Sequence, residues 1–232
     1  MENKAPMVVC LLISTLLAGN PVQANPLTPL PQLAVEHPDL SQVVLTLQDL
    51  PPGFEAMPSQ LADLKTKLNQ QENFKAESLF AFHKQNKPFQ LVMGFTTLLP
   101  TRADQVNFDS FLNQSGFVKP FIDGFQEASG AEVIEPKKLD LPTLGTIGNT
   151  SAGWQAVAKV QGIPIHLDIV LLRRGTVGVL TASMYLEGET PQIPIVEMAQ
   201  KLDQRAKKIS NLQEVVFGGQ GRRLTSSPSS SL

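Results

Sequence analysis

The chain has 232 residues, 42% hydrophobic and 17% charged, with a formal net charge of −2. That hydrophobic content supports a folded core and excludes a wholly disordered chain. The balanced charge excludes a dedicated nucleic-acid binder, which carries a basic footprint. A single cysteine, Cys10, excludes an internal disulfide framework and any cysteine-based metal knuckle.

Residues 1–24 read as a secretory signal peptide. Lys4 supplies a short n-region, and the apolar run 7–17 is shorter than the roughly 20 residues a bilayer requires. Val22-Gln23-Ala24 is a small-residue cleavage site; retention of the segment as an anchor is the alternative. Cleavage removes Cys10, which suits an oxidising compartment. The expected location is therefore outside the cytoplasm: periplasm, thylakoid lumen or extracellular space. Residues 25–39 form a Pro-rich linker, because proline removes backbone donors and favours extended chain. At the other end, 218–232 is a Gly/Ser-rich tail that cannot bury apolar surface and is expected to be disordered. A single α+β domain is expected over 40–217.

Within that domain, 43–47 alternates as a short strand, and Pro51-Pro52-Gly53 is a turn. Ser59 caps a helix to about Gln70, with Leu61, Leu64 and Leu68 on one stripe. Strands follow at 77–84 and 89–98 around the loop 85–88. That loop length sets Lys84 opposite Phe89, Phe82 opposite Leu91 and Phe80 opposite Met93, with both faces apolar and the hairpin therefore central. Thr101-Arg102-Ala103-Asp104 resembles a capping box and opens a helical stretch to about Ala128, interrupted at Gly116 and Pro120. A strand or loop is expected near 131–141.

Residues 152–186 form an antiparallel meander with turns at Gln161-Gly162 and Arg174-Gly175. The first turn pairs Ala158 with Ile165, Ala156 with Leu167 and Trp154 with Ile169. The second pairs Ile169 with Leu180, Leu167 with Ala182 and Ile165 with Met184. All of these side chains share one face, which a one-residue slip would destroy. Thr190 or Pro191 opens a final helix to about Ile209, with Ile195, Ala199, Leu202, Ala206 and Ile209 as its buried stripe. The fold class is α+β: an antiparallel sheet with a C-terminal three-stranded meander and helices packed on it.

The chemical constellations are sparse. On the register above, Ser183 faces His166 and Asp168 lies two residues along the same face, which invites a triad. Mid-strand Ser183 has no nucleophile elbow or oxyanion hole in its sequence, so a polar sheet face is the favoured reading. Phe108, Phe111, Phe121 and Phe125 recur at helical spacing; core packing is favoured over an apolar ligand groove. His37, His83 and His166 are too widely spaced for a metal motif, and no metal or cofactor is expected. From Lys201 onward six basic residues face two acidic ones. Lys207, Lys208, Arg222 and Arg223 are thus candidates for contact with an anionic surface.

The element order, the Leu50-Pro51-Pro52-Gly53-Phe54 turn and the meander ending in a helix resemble the PsbP/Mog1-like α/β/α sandwich group. That group includes exported bacterial proteins, extracytoplasmic sensor domains and lumenal photosystem accessory proteins. The resemblance covers 40–210 as topology, matches no diagnostic motif and carries over no site residue. It implies a non-catalytic accessory role with a protein partner or membrane surface. A binder of small apolar ligands or a sensor domain is the alternative, and a hydrolase on His166, Asp168 and Ser183 is the third reading.

Overall fold

The computed structural model describes residues 38–58, 61–62, 65–66, 75–113, 122, 126, 130, 132–133, 136–139 and 142–218. The segments expected to be a signal peptide, a linker (up to 37) and a tail (from 219) lie outside the described residues, as does most of the 114–131 stretch. The strands are β1 (Glu55–Ala56), β2 (Ser78–Lys84), β3 (Gln90–Leu98), β4 (Glu132–Val133), β5 (Lys137–Lys138), β6 (Thr150–Val160), β7 (Ile163–Arg174) and β8 (Val177–Leu186). Two helices are α1 (Arg102–Asn113) and α2 (Ile195–Gly218). One eight-stranded sheet has the order β1-β2-β3-β8-β7-β6-β4, with β5 also on β6. Every pairing is antiparallel.

Both faces of this sheet are buried, so β3, β7 and β8 read as nearly continuous apolar runs. One face carries Leu91, Met93, Trp154, Leu167, Ile169 and Leu180 against Phe108 and Leu112 of α1, with Leu61 packed beside them. The other carries Phe80, Phe82, Val92, Val170, Leu172 and Val179 against Met198, Leu202 and Ala206 of α2. The architecture is therefore the expected α+β sandwich, with helices on both sides. All five residues of the expected α2 stripe are buried.

Two glycines make room for aromatic rings against the sheet. A Cβ at Gly94 would stand 2.3 Å from the Leu180 carbonyl oxygen and 2.5 Å from the Phe80 ring, so Phe80 occupies the space a side chain would take. At Gly178 the Phe108 ring plays the same part at 3.0 Å. Phe108 thereby brings α1 down onto β8.

The N-terminus of α1 matches its sequence. Asp104 N–H donates to Thr101 Oγ1 at 3.1 Å, and Thr101 N–H donates back to Asp104 Oδ2 at 3.0 Å. The Thr101 hydroxyl, which donates to Asp104 Oδ2 at 2.6 Å, and then the Thr101 N–H hold the Asp104 carboxyl below its usual range. Thr101→Ala is expected to lower stability by about 1 kcal/mol, read as a shift in urea midpoint with an unchanged slope.

Four expectations are corrected. The 43–47 strand is absent: its place is taken by 3₁₀ turns at Leu40–Gln42 and Leu47–Asp49. Asp39 caps the first, and Asp49 accepts from the Thr46 N–H, so side-chain oxygens compete with a ladder. Val43 and Leu45 remain inward-facing, at 0% and 1% exposure. The alternation thus recorded burial without strand pairing.

In the β2–β3 hairpin the register is shifted by one: Lys84 pairs with Gln90, Phe82 with Val92 and Phe80 with Gly94. Phe89 stands outside the ladder because its N–H donates to the Glu189 carboxylate at 3.0 Å.

In the meander, the Gln161-Gly162 turn and its three pairs are as expected, with positive φ at both residues as a type I′ turn requires. The second turn is Gly175-Thr176, one residue later, so Arg174 pairs with Val177, Ile169 with Ala182 and Leu167 with Met184. That is a slip of two, which preserves the faces and changes every partner.

Finally, α2 opens at Ile195, because Pro194 disfavours helical backbone at the preceding Ile193, and Met198 N–H closes the first turn on the Pro194 carbonyl.

Candidate functional site

The two-residue slip separates the candidate triad. Ser183 lies opposite Asp168, and His166 lies opposite Tyr185. Ser183 is 1% exposed, and its Oγ accepts from Gln90 Nε2 at 2.9 Å. Asp168 is buried and accepts from the Tyr185 hydroxyl at 3.0 Å. His166 stacks on the Tyr185 ring, with centroids 5.3 Å apart and planes 8° apart. Each side chain of the triad thus has a partner outside it, and the cross-strand neighbour of His166 is an aromatic ring. Tyr185, which joins them, went unnoticed in the sequence; being the chain's lone tyrosine, on the polar face of a strand, was its only signal.

Burial raises the Asp168 carboxyl above the usual carboxylate range, against the opposing pull of the Tyr185 hydrogen bond and the His166 charge. Burial and the neighbouring Asp168 likewise push the Tyr185 hydroxyl up. A raised carboxyl makes the folded state hold its proton after the unfolded chain has lost one. Its contribution is therefore most favourable below about pH 4 and declines as pH rises through the raised value. Asp168→Asn removes that decline. Paired urea titrations are expected to show the variant gaining on the parent between pH 4 and pH 7; a constant or falling difference would contradict the assignment.

Beside this group lies a denser polar cluster around Gln90, which is fully buried. Its Nε2 donates to Ser183 Oγ and to the Ile193 carbonyl, each at 2.9 Å. Its Oε1 accepts from the N–H of Gln192 at 2.8 Å and of Ile193 at 3.2 Å. Lys84 Nζ adds a bond to Gln192 Oε1 at 2.7 Å. The cluster fastens the β8–α2 connection to the sheet. Gln90, too, was unmarked in the sequence.

Phe108 is buried in the α1 layer, while Phe111 is 40% exposed. Phe121 and Phe125 lie outside the described residues. Phe108 therefore belongs to the core rather than to the wall of a groove. Among the described residues no group of three His, Cys, Asp or Glu stands close enough to hold a metal ion, and no helix is long and apolar enough to cross a membrane.

The basic C-terminal segment divides. Arg205 forms an ion pair with Asp49 at 2.7 Å and bonds the Val44 carbonyl, and Lys201 donates to the Asp49 carbonyl at 3.1 Å. Those two charges hold the N-terminal 3₁₀ segment on α2. Lys207 and Lys208 are exposed on α2, whereas Arg222 and Arg223 lie outside the described residues.

No protein-family model matches the sequence, and no curated protein matches it. Among solved structures, the chain is similar to the Ran-binding protein Mog1p of Saccharomyces cerevisiae, at 8% identity over 70% of this chain and 85% of that one, with a TM-score of 0.30. At that score the likeness carries no argument about residues or function.

Proposed function

We propose that the chain is an exported, non-catalytic accessory domain that acts by binding a protein partner. The observation that carries this reading is the employment of the sheet's chemically able side chains in the fold. Ser183 and Gln90 secure the α2 connection, Tyr185 secures Asp168, and Arg205 secures the N-terminal segment. A hydrolase would need substrate to reach the Ser183 hydroxyl, which is buried under its bond from Gln90. Export rests on the leader at 1–24.

Tagged chain should fractionate outside the cytoplasm and, after mild crosslinking there, yield a defined partner that reconstitutes as a stoichiometric complex. Cytoplasmic residence, or a chain that remains partner-free in its own compartment, retires the reading. Ser183→Ala is expected to leave function intact; loss of an activity with folding preserved would favour the hydrolase.

A further inference from the structure

We propose that the C-terminal end of α2 rests on an anionic lipid surface, its basic residues among the headgroups and its apolar residues below them. The inference goes beyond the protein-binding reading and does not rest on it.

The buried stripe of α2 was expected to end at Ile209, and Ile209 is the last described α2 residue in the core. The helix does not end there; it continues to Gly218. Ser210 is the last α2 residue with a described bond to the sheet. Its hydroxyl donates to the Arg174 carbonyl at 3.2 Å, beside the β7–β8 turn. Residues 211–218 therefore carry the helix about 12 Å further, at roughly 1.5 Å per residue.

The sequence of this extension keeps the rhythm of the stripe. Leu212 and Val216 stand three and seven positions after Ile209, and Val215 and Phe217 add two more apolar residues. A helix in water gains most of its stability from packing an amphipathic face. An extension with this pattern, past the end of the sheet, calls for a surface outside the domain.

Charge selects that surface. Along α2, Glu197 pairs with Lys201 at 3.2 Å, Asp203 with Arg174 at 2.6 Å and Arg205 with Asp49 at 2.7 Å. Lys207 and Lys208 come next; both are exposed, and neither has an ion pair among the described residues. Beyond the helix the sequence adds Arg222 and Arg223, so basic pairs bracket the apolar residues. Glu214 is the single acidic residue between positions 207 and 223. Anionic headgroups complement that excess, and acyl chains accept leucine, valine and phenylalanine without a matching shape. Eight residues are too few to cross a bilayer, which needs about 20, so the helix end lies in the plane of the interface.

The test is flotation of the chain from residue 25 onward with lipid vesicles, the leader being omitted because it would itself take up lipid. Phosphatidylcholine vesicles with about one-third phosphatidylglycerol should carry the chain, and vesicles of phosphatidylcholine alone should not. Lys207→Glu with Lys208→Glu should weaken binding at least tenfold, since each basic residue at such a surface contributes about fivefold. Val215→Asp with Val216→Asp should weaken it as much. The two lysines are exposed, so their variant remains informative if the aspartate pair unfolds the helix end.

No flotation with anionic vesicles, equal flotation with neutral ones, or indifference to either pair overturns the proposal. Binding lost on deletion of 219–232 but indifferent to Lys207 and Lys208 gives the contact to the tail and also overturns it. So does self-association abolished by Val215→Asp with Val216→Asp in a chain that does not float, which gives the stripe to a second copy.

Discussion

Gln90→Leu is expected to cost about 4 kcal/mol, because a shorter apolar side chain strands several polar groups that each lose about 1 kcal/mol or more. The Ile193 carbonyl, the Gln192 and Ile193 N–H groups and the Ser183 hydroxyl all lose this amide. Chemical denaturation reads the loss, and amide exchange should accelerate first at Gln192 and Ile193. Gln90→Glu separates the two halves of the amide. Its carboxylate still accepts from both N–H groups, but only its protonated form can donate to the Ile193 carbonyl. Burial raises that carboxyl, so the Glu variant should be more stable at pH 4 than at pH 7 relative to the parent. A Gln90→Leu protein within 1 kcal/mol of the parent would show the cluster to be dispensable.

Asp109→Ala is expected to cost about 3 kcal/mol by leaving a guanidinium buried without its carboxylate. Arg173 Nε and Nη2 each donate to one Asp109 oxygen at 2.7 Å, and the arginine side chain is 9% exposed against 29% for the aspartate. The same asymmetry makes Arg173→Ala cheaper, since the remaining carboxylate can rehydrate. Replacing both, as Arg173→Met with Asp109→Leu, should return stability to within about 1 kcal/mol of the parent, because apolar residues of similar volume often replace a buried pair without loss. Strictly additive single variants would contradict this account.

What the sequence made legible was periodicity. The α2 stripe, the first meander turn and the Thr101–Asp104 capping box depend on residues within a few positions of one another, and all three stand in the structure. Information carried over long distances was hidden. The β2–β3 register depends on Glu189, a hundred residues from the Phe89 N–H it binds. The β8–α2 connection is held by Gln90, equally far away. The second meander turn was ambiguous because Arg174-Gly175 and Gly175-Thr176 give the same facial pattern, two residues apart. Only the partners distinguish them, and the candidate triad depended on partners. A lone glutamine at the head of a strand expected to be covered on both faces is a signal that went unused: such an amide needs four hydrogen-bond partners, and the apolar strand around it offers none.

Arg173 and Arg174 are consecutive on β7, so their side chains leave the sheet in opposite directions. Arg173 grips Asp109 of α1, and Arg174 grips Asp203 of α2 with bonds of 2.7 and 2.6 Å. Through Arg205, Asp49 extends the second grip to the N-terminal segment. The end of one strand is thus a shared hinge pin for three parts of the chain that are far apart in sequence. Fraying at the Gly175-Thr176 turn would release both helical layers together. In native-state exchange, the amides of α1, α2 and the β7–β8 turn should therefore report one common opening rather than a graded series.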